Sequence, residues 1–193
     1  MVLRNGVRVD DPLAVVLGFL EAYPRADVST SSRPGSFGEP DLRSANRGGA
    51  RISAAEIAAI LERRSAIERA LRAIAPAASL AASSVPWLPL GQLVDAFADI
   101  KGIGYSKMTK ALHPKRPALI PILDSVVQEY LVDDDLGAKA PFAERALGLI
   151  RGYKRDLDRN LSAVRAVRKE LRTRRYELSD VRILDLVIWS VAS

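Results

Sequence analysis

Apolar residues recur every three or four positions in one segment after another of this chain, which is the spacing of an amphipathic helix. Leu13, Val16 and Leu20 are an early example. No segment alternates apolar and polar residues as a strand would, apart from a short extended piece predicted at 119–123. We therefore predict an all-α fold, a helical bundle without internal repeats.

Composition indicates one domain with a sizeable core. The chain has 193 residues, 48% of them hydrophobic, so we expect a single domain over residues 1–193. It has no cysteine and only one histidine, which excludes a thiolate or multi-histidine metal site, and we predict neither a metal nor a cofactor. The apolar run 13–20 follows Asp10 and Asp11 and is too short to span a bilayer. We expect no signal peptide, no membrane association and a cytoplasmic location.

Turn and capping residues divide the chain into elements. Proline, glycine and serine crowd residues 23–40, which predicts a long surface loop, and a short helix is expected at 41–46. Ser53 followed by Glu56 is a capping-box pattern that opens the next helix. The segment 75–89, rich in small residues and proline, is expected to cross the surface of the bundle.

A long helical pattern begins after Pro141, which suits a first helical turn. It continues to Leu171 and is either two helices or one helix bent near Gly152. Residues 151–175 hold ten Lys or Arg and three Asp or Glu, a local balance of +7 in a chain of net charge +6. Such a concentration suits an anionic partner, although a solvated helix face is the alternative.

The most informative motif is IKGIG at residues 100–104. Apolar spacing predicts a helix over 90–100, and another helix begins near Tyr105. The glycines permit a sharp turn between them, so we predict a helix-hairpin-helix over 90–113. The unpaired first amides and positive dipole end of the second helix suit a phosphate, while a plain tight turn without a ligand also accounts for the pattern.

Asp124 stands twenty residues after Gly104, directly after an apolar run. It occupies the position of a helix N-cap. Capping and catalysis are compatible, because one carboxylate oxygen can cap while the other faces a substrate.

The turn, the following helix and Asp124 together resemble the helix-hairpin-helix DNA glycosylase superfamily, over about residues 90–132. The resemblance implies that Gly102 and Gly104 meet phosphate through their backbone amides. It also implies that Asp124 is the catalytic carboxylate, which orients water and stabilises positive charge on the sugar as the base leaves. The longer pattern LHPKRPALIPILDS is also similar to an uncharacterised bacterial family known as a domain of unknown function, which implies no activity.

Two departures from the glycosylase pattern shape the expected activity. Bifunctional members carry a lysine two residues after the second glycine, where this chain has Ser106. Lys107 comes one residue later, turned by ~100° around the helix. If the chain is an enzyme, we expect a monofunctional glycosylase in DNA repair. Residues 125–129 are less polar than in the family, which favours the alternative of a non-catalytic module that binds nucleic acid or protein on the same fold.

DNA is therefore the expected partner, and its contacts are expected on and just after the turn. A flipped-out base would need a pocket, which Tyr105 or Trp87 could line. The predicted nucleic-acid-binding residues are Gly102, Gly104, Tyr105, Ser106, Lys107, Lys110, His113, Lys115 and Arg116.

Overall fold

A computed structural model describes residues 1–23 and 33–192, and within these ranges the chain folds into α-helices without an extended strand. The predicted all-α fold is confirmed for these residues, and the piece at 119–123 forms no strand. Short 3-10 turns follow the sixth and seventh helices, at His113–Lys115 and Val132–Asp134. The helices are α1 (Pro12–Ala22), α2 (Glu39–Arg47), α3 (Ala54–Glu62), α4 (Arg64–Ala73), α5 (Trp87–Asp95), α6 (Tyr105–Leu112), α7 (Ser125–Tyr130), α8 (Phe142–Thr173) and α9 (Asp180–Ala192).

Polar side chains fix where several helices begin. The backbone nitrogen of Ser53 donates to Glu56 Oε2 over 2.7 Å, and the nitrogen of Glu56 donates to Ser53 Oγ over 3.3 Å, which confirms the predicted capping box of α3. Asp11 caps α1 and Asp124 caps α7, each through a side-chain oxygen. The short helix predicted after the loop is confirmed as α2.

The 32-residue helix α8 is the longest described element and packs against both α5 and α9. Its buried face includes Leu149, Leu157 and Val164, and each such side chain contributes about 1.5–3 kcal/mol by burial. The alternative of two helices is wrong, because α8 is continuous through Gly152. A Cβ at residue 152 would overlap the carboxylate of Asp134, so this glycine permits close packing and does not end the helix.

The N-terminal residues are tied to the long helix. Asn160 on α8 accepts a hydrogen bond from the nitrogen of Val2 and donates to its carbonyl, each over 3.0 Å. The guanidinium of Arg4 pairs with Asp134, which also receives Arg155 from α8. Leu3 is buried beneath these polar contacts. Residues before α1 therefore belong to the same packed unit as α8.

The helix predicted over 90–100 differs at both ends from the observed one. It begins earlier, at Trp87, within the segment that was expected to cross the surface, and ends at Asp95. Residues 96–99 form turns, and Asp99 adopts a positive φ of 60°, which ends the helical path. Phe97 nevertheless remains fully buried against Phe37, with ring centroids 6.0 Å apart.

The long loop predicted over 23–40 lies partly outside the described residues, at 24–32. Of the remainder, residues 33–38 are not helical and α2 begins at Glu39. Phe37 in this stretch belongs to the core.

Candidate nucleic-acid interface

The predicted sharp turn lies between α5 and α6. The nitrogen of Ile103 donates to the carbonyl of Ile100 over 3.0 Å and closes a four-residue turn. Gly102, third in that turn, has a φ of +84°, a conformation that glycine adopts without steric cost. Lys101 and Gly102 are exposed, so the backbone of the turn is open to solvent.

Gly104 is the N-cap residue of α6, and no side chain caps this end of the helix. Gly104 is exposed and extended, and a Cβ added to it would meet no atom within 4 Å. The first amides of an uncapped helix lack acceptors and carry the positive end of the helix dipole. This end of α6 is therefore both sterically open and electrostatically suited to an anion.

Sequence reasoning missed the third component of the site, the carboxylate of Glu56. Its Oε1 accepts a hydrogen bond from Lys107 Nζ over 2.7 Å, although the two residues are 51 positions apart. A Cβ at residue 102 would overlap the same oxygen, so the carboxylate rests directly on the turn. The hydrogen bond from Lys107 lowers the pKa of Glu56, which keeps it ionised. The capping-box pattern identified Glu56, but only as part of a helix start.

Of the other polar residues predicted on or just after α6, Lys110 and His113 contact nearby backbone carbonyls. Lys110 Nζ donates to the carbonyl of Gly49 over 3.4 Å, and Ser106 lies half-buried in the first turn. His113 Nδ1 lies 2.6 Å from the carbonyl of Ile120. Because a carbonyl can only accept, Nδ1 carries the proton in this contact.

Lys115 and Arg116, both predicted to bind nucleic acid, are buried. Lys115 Nζ pairs with Asp41 on α2 over 2.8 Å. Arg116 is 1% exposed and donates to the carbonyls of Leu71 and Ile74 at the end of α4. The negative end of the α4 dipole thus stabilises the guanidinium, and neither side chain is available to a phosphate.

The two aromatic residues considered for a base pocket are also engaged. Tyr105 is buried, its ring centroid lies 4.7 Å from that of Phe142, and burial raises its pKa. The guanidinium of Arg151 lies over the ring of Trp87, 5.2 Å from its centroid. Both rings serve packing and cation–π contacts here rather than lining an open pocket.

Asp124 is half-buried at the start of α7, and its Oδ1 accepts a hydrogen bond from the nitrogen of Val127 over 3.1 Å. The predicted cap is confirmed, and it leaves Oδ2 for another donor. The residue before Asp124 is bonded to α6, because the nitrogen of Leu123 donates to Thr109 Oγ1 over 3.0 Å. Asp124 is therefore fixed relative to α6.

A second carboxylate, Asp185 on α9, lies beneath the apolar run that leads to Asp124. Its Oδ2 accepts a hydrogen bond from the nitrogen of Ile122 over 3.2 Å, while its buried Oδ1 has no hydrogen-bond partner among the described residues. Burial raises the pKa of Asp185 to about 7, a shift that nearby Arg182 opposes and the charge of Asp124 reinforces. A single acidic residue within the apolar run ILDLVIW was the sequence signal for this group.

The positive charge of the basic segment 151–175 is partly neutralised by ion pairs. Many of its cations pair with carboxylates, several of which come from outside the segment. Arg151, Lys169 and Arg175 are exposed and belong to none of the ion pairs among the described residues. The pairs include Arg155–Asp134, Arg159–Asp156, Lys154–Asp158, Arg168–Asp180, Arg172–Glu177 and Arg174–Glu170.

Fold and site together define an all-α protein whose candidate site combines an exposed glycine turn, an uncapped helix N-terminus and a nearby carboxylate. In the described ranges no three His, Asp or Glu side chains form a group that could hold a metal ion, and no helix there is long and apolar enough to cross a membrane. The chain belongs to DUF6308, a family of unknown function, whose sequence profile matches residues 21–192. No curated protein and no solved structure matches it.

Proposed function

We propose that this protein binds the phosphate backbone of DNA through the turn at 101–104 and the N-terminus of α6. The observation that carries the proposal is the open, uncapped helix end at Gly104, directly after an exposed glycine turn. Backbone amides at such an end bind phosphate oxygens, and the dipole favours their charge. The resemblance of this motif to helix-hairpin-helix glycosylases supports the same ligand.

The side chains around the turn support a polyanionic partner. Lys101 is exposed within the turn, and Lys107 and Lys110 follow on α6. Each lysine that contacts a phosphate releases condensed counterions from DNA, so affinity falls as salt rises. Binding through phosphates also predicts little dependence on base sequence.

The test is fluorescence-anisotropy titration of a labelled DNA duplex at several salt concentrations, with the wild type and Gly104→Asp. Aspartate at this extended N-cap position would accept hydrogen bonds from the first amides of α6 and raise stability by a few tenths of a kcal/mol. The same carboxylate occupies the phosphate position, so we expect DNA affinity to fall about tenfold or more. A variant that is more stable but binds less tightly cannot owe its defect to unfolding.

Gly18→Asp is the matched control, because Gly18 is exposed on α1 and a Cβ there also meets no atom within 4 Å. It changes the net charge equally and should bind DNA nearly as the wild type does. If the folded wild type does not bind DNA at low salt, the proposal is overturned. Equal losses for the two variants would place the binding surface elsewhere.

We further propose base excision, with Asp124 as its carboxylate, as the second candidate function. The favouring observation is that the cap uses Oδ1 and leaves Oδ2 on a residue that is only half-buried. A carboxylate there would stabilise an oxocarbenium-like transition state on the sugar.

Asp124→Asn separates the enzyme from a non-catalytic binding module. Asparagine is also a favourable N-cap, so folding and DNA binding should persist while base release stops. The assay is release of bases from a panel of damaged duplexes. A wild type that binds these duplexes and releases nothing favours the module.

A further inference from the structure

The carboxylate of Glu56 lies against Gly102, within the turn that the proposed phosphate would contact. It contacts the turn at Gly102 so closely that a Cβ there would displace it, and it accepts a hydrogen bond from the ammonium of Lys107 over 2.7 Å. Its second oxygen is held by the nitrogen of Ser53 over 2.7 Å. An oxyanion on a bare glycine turn, paired with the first lysine of the helix, reproduces the chemistry expected of a phosphate diester.

The contact is long-range and specific. Glu56 comes from α3, whereas the turn lies between α5 and α6 and Lys107 lies on α6. Only 14% of the Glu56 side chain and 25% of the Lys107 side chain are exposed, so the pair is more shielded from solvent than a typical surface ion pair. A Cβ at residue 102 would force this carboxylate to move, and the positive φ of Gly102 also favours glycine.

We propose that Glu56 is an internal competitor for phosphate, which a bound DNA backbone must displace from Gly102 and Lys107. The inference rests on the proposed function and concerns its regulation. While Glu56 contacts Gly102, its carboxylate pairs with the charge of Lys107 and repels any incoming phosphate. Displacement frees Lys107 to pair with the phosphate.

The experiment compares DNA affinity of the wild type and Glu56→Gln in the same anisotropy titration. Glutamine at the third helical position preserves the capping box with Ser53, so α3 should still form. Removing the competing charge should tighten DNA binding about tenfold or more. Glu62→Gln, an exposed residue at the end of the same helix, is the matched control for the added net positive charge and should change affinity less than about twofold.

The double variant Glu56→Gln/Gly104→Asp identifies where the gain arises. If Glu56 competes at the turn, the second substitution removes most of the gain. If the double variant binds as tightly as Glu56→Gln, the gain is not made at the turn and the competitor inference is overturned.

The remaining outcomes separate this inference from the proposed function. Suppose that the wild type binds DNA, that Gly104→Asp weakens this binding, and that Glu56→Gln binds no more tightly than Glu62→Gln. This result overturns the competitor inference and leaves DNA binding at the turn intact. Failure of the wild type and of Glu56→Gln to bind at low salt overturns both. Binding by Glu56→Gln alone also overturns both, because DNA then does not displace Glu56 from the turn of the wild type.

Discussion

The backbone nitrogen of Leu123 donates a hydrogen bond to the side-chain oxygen of Thr109 over 3.0 Å, and both residues are buried. Thr109 Oγ1 in turn donates to the carbonyl of Tyr105 over 2.7 Å, one turn earlier in α6. These two bonds connect the start of α6 to the residue immediately before Asp124. The candidate carboxylate is therefore positioned by the core, although it lies only half-buried itself.

Thr109→Val should lower the free energy of unfolding by about 1–3 kcal/mol, because the amide of Leu123 loses its buried acceptor while the shape of the side chain is kept. Denaturant titration measures the change. Thr109→Ser retains the oxygen and should lose only about 1 kcal/mol for the missing methyl. A valine variant as stable as the serine variant would contradict a stabilising role for this bond.

Arg116→Met should lower the free energy of unfolding by about 3 kcal/mol or more, because it removes the guanidinium hydrogen bonds to the carbonyls of Pro34, Leu71, Ile74 and Lys115. Arg116→Lys should also be strongly destabilising, since one ammonium cannot reproduce the fork of a guanidinium. The measurement is thermal or chemical denaturation. Arg69→Met, exposed on the same helix, is the control and should change stability by less than about 0.5 kcal/mol.

Asp185 should make stability decrease as pH rises from about 4 to about 7. Its folded-state pKa is raised to about 7, so the unfolded chain loses this proton at lower pH than the folded protein does. The loss of stability is complete above the folded-state pKa and amounts to at most roughly 4 kcal/mol.

Asp185→Asn carries no ionisable group there, so its stability should rise relative to the wild type across that pH range. Denaturant titrations at a series of pH values measure this difference. Asp95→Asn, at an exposed position on α5, should run parallel to the wild type. Parallel curves for Asp185→Asn as well would show that Asp185 titrates normally.

Gly102→Ala should lower stability by about 1–3 kcal/mol, because the methyl group displaces Glu56 from Lys107 and alanine is strained at a φ of +84°. In a Glu56→Ala background the same substitution should cost less, about 1 kcal/mol, since only the backbone strain remains. The double-mutant cycle measures the coupling. Gly104→Ala, at an open N-cap position, should cost less than about 1 kcal/mol, and strict additivity of the first two changes would refute the contact.

Much of the fold was predictable because its signals are local. Apolar spacing located most helices, and the pattern of Ser53 and Glu56 predicted a capping box that the structure contains. The position of Asp124 predicted its cap in the same way. Local signals failed at Gly152, where the reason for glycine is a carboxylate from another segment.

The candidate site was less predictable, because its decisive contacts join distant segments. Glycine at 102 indicated close approach of another group, but the sequence did not indicate that Glu56 is the group that approaches. Lys115 and Arg116 look solvated because charged residues are seldom fully buried. Their burial depends on Asp41 and on the carbonyl end of α4, which only the tertiary fold brings to them.

The packed unit that contains α8 includes N-terminal residues that lie before the start of the family match. The match begins at residue 21, whereas Val2 and Arg4 satisfy Asn160 and Asp134 on and beside α8. A fragment trimmed to residues 21–192 would also lack all but the last two residues of α1, which packs against α9. Trimming would uncover apolar surface on two helices and leave polar groups of α8 without partners, so such a fragment is expected to aggregate or stay partly unfolded.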